Sequence, residues 1–476
     1  MMFIDKRSKL VGTIGPSTDS FDILRELVLS GLTTIRANFS HGDHAEQKSK
    51  FDNAKKVQAD LQVPISLMLD TKGPEIRVGK MKDGAQLIKA KQELVVHTKP
   101  EAFQKMLGTD KEITVSYRMD LDLKKGNTVL FDDGKLVTEV ISVQDGLINV
   151  VTKNQHLLKS NKRINLPGVE FSLPFLSEKD INDVKFGIEQ GVDYIAASFV
   201  NSRANVTQLR NILDENGGQK IKIIAKIESE VAIKNIDEII AAADGIMVAR
   251  GDLGLEIPYY EVPFNQKMMI RKCRQAGKPV IVATQMLDSM EKLPQPTRAE
   301  VTDVYWATEL GADATMLSGE TASGEFPIQA VQVMSTINMR AEREFYNKLF
   351  YPVQLQEVYE NSVKDERNEI AYNIAKSASE GKYKYIVVRS ATGELLNAIA
   401  KYRPNAAIIG LVGDEEMIGK FGVTNSVFVS LKSKELFASV KDDYGKAAQA
   451  LQPFGPQKGD RYLVVINRFQ SKEFTY

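Results

Sequence analysis

Eight short apolar runs begin near residues 9, 34, 65, 194, 221, 245, 279 and 314. Apart from one long interruption, they start 24–35 residues apart. They are Lys9–Ile14, Thr34–Phe39, Pro64–Leu69, Tyr194–Val200, Ile221–Ile227, Gly245–Ala249, Pro279–Thr284 and Ala314–Leu317. Runs this short and apolar on both faces predict buried parallel strands. The stretches between them predict crossover helices, among them Phe21–Ser30, His44–Leu61 and Ala232–Ala243. Eight strands alternating with helices predict a (β/α)8 barrel of the TIM type. The interruption, residues 75–168, shows alternating segments instead, at Gln92–Thr98, Thr128–Phe131, Lys135–Ser142 and Leu147–Thr152. It reads as an antiparallel β insertion after strand 3. Without it, residues 1–340 shrink to 246, close to the roughly 250 typical of the barrel.

After residue 340 the pattern restarts as a C-terminal open α/β domain. Strands are expected at Lys384–Ser390, Ala406–Val412, Val427–Leu431 and Arg461–Asn467. Helices are expected over 363–380, Glu394–Tyr402, Glu415–Phe421 and Lys434–Leu451, with Asn347–Glu360 an irregular connector. A chain of 476 residues has room for about three domains. The boundaries follow as 1–74 with 169–340, then 75–168, then 341–476.

Charge and composition exclude several classes. Formal net charge is zero, so no nucleic-acid partner is indicated. The single cysteine, Cys273, excludes an intrachain disulfide and a cysteine-built zinc site, and fits a reducing cytosol. No apolar run reaches about 18 residues and no signal core opens the chain, so no membrane span is expected. With four histidines, chemistry built on several of them is not expected.

In a barrel of this kind the reactive side chains sit at the C-terminal strand ends. Polar residues of this chain collect there. Arg36, Asn38 and Ser40 stand two apart, on one face of strand 2. Asp70 and Thr71 end strand 3, and Lys226 and Glu228 end strand 5. Arg250, Gly251 and Asp252 follow strand 6, Thr284 and Gln285 end strand 7, and Ser318 and Glu320 follow strand 8. Singly, each has an ordinary reading as a helix cap, an ion pair, a turn or a sheet residue. Six strands supplying polar groups to one rim is what those readings leave unexplained.

Glu228 and Asp252 suit a hard divalent cation, which is commonly held by one or two carboxylates plus waters and substrate oxygens. Lys226 and Arg36 would face negative charge developing on a transferred group. Asn38, Ser40, Asp70 and the Thr71 carbonyl form an oxygen-rich set suited to a monovalent cation. Gly251 lets the backbone approach a ligand closely. Neither a Walker A motif nor GxGxxG occurs, so a bound nucleotide must use another architecture.

Several motifs are more specific. ANFSHG (37–42), LDTKGPEIR (69–77), NLPGVEFSLPFLSEKD (165–180) and KIES (226–229) occur in that order. They are followed by VARGDLGLEIP (248–258), GKPVIVATQMLDSM (277–290), PTRAEVTDV (296–304) and MLSGETASGEFP (316–327). Together they resemble the pyruvate kinase family across nearly the whole barrel and insertion. The resemblance implies phosphoryl transfer from phosphoenolpyruvate to ADP, giving pyruvate and ATP, by a cytoplasmic homotetramer. It implies that residues 75–168 are a β-barrel lid and 341–476 a regulatory and assembly domain.

Residue by residue, Glu228 and Asp252 match ligands of Mg2+ (or Mn2+), and Asn38, Ser40, Asp70 and Thr71 match a K+ site. Lys226 and Arg36 match groups that meet the moving phosphoryl charge. The Gly251 and Asp252 amides with the Thr284 hydroxyl match a carboxylate-binding corner. Thr284, Ser318 and Glu320 match a proton relay through water, since a threonine hydroxyl is too weak an acid to donate directly. Arg77 matches an arginine that reaches phosphate when the lid closes. Pro16, Asn38, His41, Arg77 and Arg163 match nucleotide contacts.

Glu75, before Ile76-Arg77, matches the K+-dependent branch of the family. Where activated members carry a TKSGRS-type sugar-phosphate loop, this chain has Ser390-Ala391-Thr392-Gly393-Glu394-Leu395. It also ends at Asn467-Arg468-Phe469…Tyr476, without the Trp-Arg-Pro-Gly loop. The expectation is no final strand and no activation by fructose 1,6-bisphosphate. Two competing readings are another Mg2+-dependent phosphoenolpyruvate or pyruvate barrel enzyme and a catalytically silent regulatory paralogue.

Overall fold

The computed structural model describes residues 5–169, 172–346, 349–467 and 470–476. Glu170 and Phe171 of the third motif, Asn347, Arg468 and Phe469 lie outside the described residues. Eight parallel strands close into a barrel. Numbered in chain order, barrel strands 1 to 8 are Lys9–Thr13, Thr34–Asn38, Ser66–Asp70, Tyr194–Ala197, Lys222–Ile227, Gly245–Ala249, Val280–Ala283 and Ala314–Leu317. Strand 1 closes the ring by pairing with strand 8, Lys9 opposite Ala314.

The runs are apolar on both faces because both faces are buried. Val11, Met68, Ala196, Ile224, Met247, Ile281 and Met316 fill the barrel interior. Their neighbours Leu10, Leu67, Leu69, Ile195, Ile223, Ile246 and Val280 pack against the surrounding helices. This is the period of two of a strand, expressed around a cylinder.

The crossover between strands 5 and 6 is not one helix. It breaks into Glu230–Lys234 and Ile236–Ala242 at Asn235, which has φ −99° and ψ 14°. The Asn235 side chain donates to the Asn201 carbonyl at 2.8 Å. This tertiary bond draws the side chain away from the helix and fixes the break.

The insertion forms a seven-stranded sheet. It is mostly antiparallel, but Glu93–His97 and Glu112–Thr114 pair in parallel, a departure from the expected pattern. The chain enters through Ile76–Arg77 and leaves through Arg163–Asn165, and these two short strands pair with each other.

The C-terminal residues form a five-stranded sheet with apolar clusters on both faces. Four strands are parallel, and Gln470–Thr475 adds antiparallel to Arg461–Asn467. A final strand is therefore present, against expectation. The expected connector is also ordered, since Tyr351–Glu360 is a helix. Pro352 sits in its first turn, where a missing N–H costs nothing, and Tyr351, Leu355 and Val358 form its buried stripe. The segment expected as one helix over 434–451 instead breaks into Ser433–Ser439, a 3-10 turn at Tyr444–Ala447 and Ala448–Leu451. Asp443 accepts from the Gly445 amide at 2.9 Å and restarts the chain there. The expected helix Glu415–Phe421 is a 3-10 segment.

This C-terminal region stoppers the barrel at the N-terminal ends of its strands. Val423 joins the interior cluster. Ser66 and Thr33 donate to the Gly419 and Gly422 carbonyls. Lys420 pairs with Asp193 at 2.9 Å and Arg403 with Asp313 at 2.6 Å, all largely buried. Among the described residues, no helix is long and apolar enough to cross a membrane.

Cys273 lies on the helix Val262–Ala276, fully buried, and burial pushes its thiol far above its ordinary value. A thiol that is neither exposed nor ionised is inert. Iodoacetamide at about pH 8 should leave the native protein unmodified by mass spectrometry. It should label one site after denaturation.

Candidate active site

The polar rim grows out of the barrel interior. Five of the seven interior residues named above are followed two positions later by a polar residue on the same face. Val11 leads to Thr13, Met68 to Asp70, Ala196 to Ser198, Ile224 to Lys226 and Met316 to Ser318. The strands therefore deliver these side chains to one point.

Asp70 is the hub. Arg36 Nε donates to its Oδ2 at 2.7 Å, and Lys226 Nζ donates to its Oδ1 at 3.0 Å. Arg36 Nη1 also donates to Thr13 Oγ1 at 2.7 Å. Lys226 lies 3.0 Å from Glu228 Oε1 and donates to Ser198 Oγ at 2.8 Å. Ser198 Oγ in turn donates to the Thr71 carbonyl at 2.6 Å. The Phe199 amide donates to Glu228 Oε2 at 2.7 Å. Asp70 and Glu228 are each only 1% exposed, so any charge they carry is stabilised by these partners rather than by water.

The proton affinities follow from this wiring. Burial opposes charge on Lys226, but Asp70 and Glu228 outweigh it and hold the ammonium above its ordinary value. Burial likewise opposes charge on Asp70, but Arg36 and Lys226 hold that carboxyl below its ordinary value. At Glu228 burial wins, helped by Asp252, and pushes the carboxyl up to about 7. A buried carboxylate so reluctant to ionise, beside a second one, is a natural place for a metal ion. Among the described residues no three His, Cys, Asp or Glu side chains cluster as a cage. The donor set thus fits a divalent cation that relies on two carboxylates and exogenous oxygens.

Asp252 sits in the first turn of the helix Arg250–Glu256, and Arg163 Nη1 donates to its Oδ1 at 2.5 Å. The Gly251 amide donates to Thr284 Oγ1 at 2.7 Å, and that hydroxyl donates to the Ala283 carbonyl at 2.6 Å. A Cβ on residue 251 would lie only 3.3 Å from Thr284 Oγ1, so glycine permits this approach.

Thr284 has φ 68° and Gln285 φ 52°. A β-branched residue in that region is strained and needs outside support. Arg250 gives it: Nη2 donates to the Thr284 carbonyl at 2.6 Å and the Gln285 carbonyl at 3.1 Å, while Nη1 grips Asp303 at 2.7 Å. The Glu320 carboxylate accepts from the Leu287 and Ser318 amides at 3.1 and 2.7 Å, lacing the ends of strands 7 and 8 together.

The remaining expected residues are less tightly joined. Strand pairing sets Asn38 opposite Asp70, and Asn38 Oδ1 accepts from the Ser40 amide at 3.0 Å. The oxygens of Asn38, Ser40, Asp70 and Thr71 thus share one sector, a donor set fitting a monovalent cation. Pro16 and His41 are exposed on loops after strands 1 and 2. Arg77 turns to Glu75 at 2.7 Å and to the Asn161 carbonyl at 2.9 Å.

Sequence reading missed Thr13, Ser198, Phe199 and the clamp role of Arg250. The signal for Thr13 and Ser198 was their place two residues beyond an inward-facing position, the same rule that found Asp70 and Lys226.

Comparison with known proteins agrees with this architecture. A family model described as "Pyruvate kinase, barrel domain" matches residues 5–331. The chain is 42% identical over 466 residues to a pyruvate kinase of Mycoplasma genitalium, covering 90% of each chain. It is 38% identical to a pyruvate kinase of Clostridium acetobutylicum, covering 97% of this chain and 95% of that one. The crystal structure of a pyruvate kinase from Cryptosporidium parvum superposes with a TM-score of 0.89 at 36% identity, covering 99% of this chain and 96% of that one.

Replacing Asp70 by Asn strands Arg36 and Lys226 without their shared counter-charge. Breaking a buried pair from one side costs about 3 kcal/mol or more. Thermal and denaturant unfolding of Asp70→Asn should show a loss of that order.

Proposed function

The chain belongs to the pyruvate kinase family, and on that premise we propose that the rim around Asp70, Lys226 and Glu228 is where it moves the phosphoryl group of phosphoenolpyruvate to ADP. The observation that carries this reading is the buried assembly of Arg36, Asp70, Lys226 and Glu228 at the C-terminal end of the barrel. A catalytically silent paralogue has no need to keep such a cluster charged.

The proposed roles follow from placement. Glu228 and Asp252 hold Mg2+ (or Mn2+), which when bound supplies positive charge to the phosphoryl oxygens. Asn38, Ser40, Asp70 and the Thr71 carbonyl hold K+. Arg36 and Lys226 face the phosphate. Lys226, an ammonium under all ordinary conditions, offsets charge as it passes to the forming enolate. The Gly251 and Asp252 amides and the Thr284 hydroxyl receive the substrate carboxylate.

Thr284 then relays a proton to the enolate carbon through water, with Ser318 and Glu320 behind it. Of these, Glu320 has burial holding its carboxyl above its ordinary value. Pro16, Asn38, His41, Arg77 and Arg163 meet the nucleotide. We further assign 1–74 with 169–340 as the catalytic barrel, 75–168 as the lid and 341–476 as the assembly domain of a cytoplasmic homotetramer.

A coupled assay of ADP-dependent pyruvate formation tests the reading. The protein should turn over, and Lys226→Met should lose about 10³-fold or more in kcat while keeping the circular dichroism spectrum of the folded protein, with a lowered melting temperature because Asp70 and Glu228 lose a buried counter-charge. Turnover undiminished in Lys226→Met refutes it.

Two finer features are tested in the same assay. Glu75, paired with Arg77 at 2.7 Å, goes with K+ dependence, so activity should collapse in K+-free buffer. Glu394 pairs with Arg367 at 2.6 Å and brings a carboxylate to the loop 390–395. Fructose 1,6-bisphosphate should therefore leave the half-saturating phosphoenolpyruvate concentration unchanged.

A further inference from the structure

Two cations already sit on the carboxylates assigned to the divalent ion, and they are held very differently. Lys226, on Glu228, is also fixed by Asp70 and Ser198 and has a side chain 10% exposed. Arg163, on Asp252, is hydrogen-bonded through Nη1 to that carboxylate. Its Nη2 is buried with no partner, and its face lies 5.0 Å from the Phe199 ring. Its side chain is 18% exposed, with more freedom to leave.

Charge balance decides between them. Arg36, Lys226 and Arg163 each pair with one of Asp70, Glu228 and Asp252, and Glu75 and Asp133 also act on Arg163. A divalent ion added to those pairs brings two further positive charges into a largely buried site, which is costly. Withdrawing one guanidinium halves the excess and frees the Asp252 oxygen. We propose that Arg163 is a built-in competitor of the divalent cation, holding Asp252 until metal loading displaces it.

The position of Arg163 gives the exchange a mechanical side. It lies on Arg163–Asn165, the strand by which the insertion returns to the barrel, and it pairs there with Arg77. The Arg163–Asp252 bond ties that strand to the helix after barrel strand 6. Metal loading cuts the tie and leaves a guanidinium with all its donors free beside the rim, ready for a phosphate.

The inference rests on the assignment of Asp252 as a metal ligand, and the test separates the two. Mn2+ is titrated into the full chain without substrates, at fixed ionic strength and saturating K+, with free Mn2+ read by electron paramagnetic resonance. Arg163→Gln and Arg163→Met should tighten the Mn2+ dissociation constant about tenfold or more, the worth of one charge-assisted hydrogen bond no longer opposed.

Lys162→Gln removes the same charge one residue away. Lys162 pairs with Asp132 at 3.0 Å with its side chain 37% exposed. It should change the constant by less than about twofold, because salt screens an exposed charge. Unchanged or weaker Mn2+ binding in both Arg163 variants overturns the proposal, as does an equal gain in Lys162→Gln. If Asp252→Asn binds Mn2+ as tightly as the parent, the metal assignment itself falls, and the competition with it. If Asp252→Asn weakens binding but the Arg163 variants do not tighten it, the metal assignment stands and only the competition falls.

Discussion

Everything at the rim depends on a charge problem solved inside the barrel mouth. Asp70 is 1% exposed and accepts from two cations that are themselves nearly buried. None of Arg36, Lys226, Asp70 or Glu228 is well tolerated there alone, since a buried charge without its partner costs several kcal/mol, a large share of a domain's whole stability. Together they are cheap, provided that three strands hold them in register. Strands 2 and 3 are adjacent, with Arg36 opposite Met68, two residues before Asp70. Strand 5 brings Lys226 from beyond strand 4, so Ser198, just past the end of strand 4, fills the gap between them. The barrel is the scaffold that makes four mutually dependent charges available at one point.

A second demand is conformational. The turn after strand 7 holds Thr284 and Gln285 at positive φ. Strain of this kind costs on the order of 1–3 kcal/mol per residue and persists only where neighbours impose it. Arg250 imposes it by gathering carbonyls of that turn while anchored on Asp303. The same short stretch, Arg250-Gly251-Asp252, thus enforces the turn, approaches Thr284 and presents a carboxylate, three tasks within one helical turn.

Much of this was legible in the chain. The eight strands stood out because burial on both faces leaves short runs that are mostly apolar. The charged rim stood out because charges ending such runs are rare. What was not legible has physical causes. Thr13 and Ser198 carry no charge, so nothing in their chemistry separates them from ordinary strand ends. The break at Asn235 is decided by a partner, the Asn201 carbonyl, that only the fold supplies. Pro352 made a helix look like a connector, although proline is at home in a first turn. The strand Gln470–Thr475 is polar and largely exposed along an edge, so it lacks the apolar signature by which strands are read. The Arg163–Asp252 bond joins residues 89 positions apart, beyond any local pattern.

The stopper under the barrel has a consequence for how such a chain can be divided. Asp193 and Asp313, at the barrel floor, find their cations in Lys420 and Arg403, and Val423 completes the barrel's own apolar interior. The region that follows the barrel in sequence is, in space, part of its base. In modular terms the two are not separable goods: neither could be borrowed by another protein, or lost by this one, without leaving the other with bare charge and an open end. The unit that inheritance must pass on is the pair.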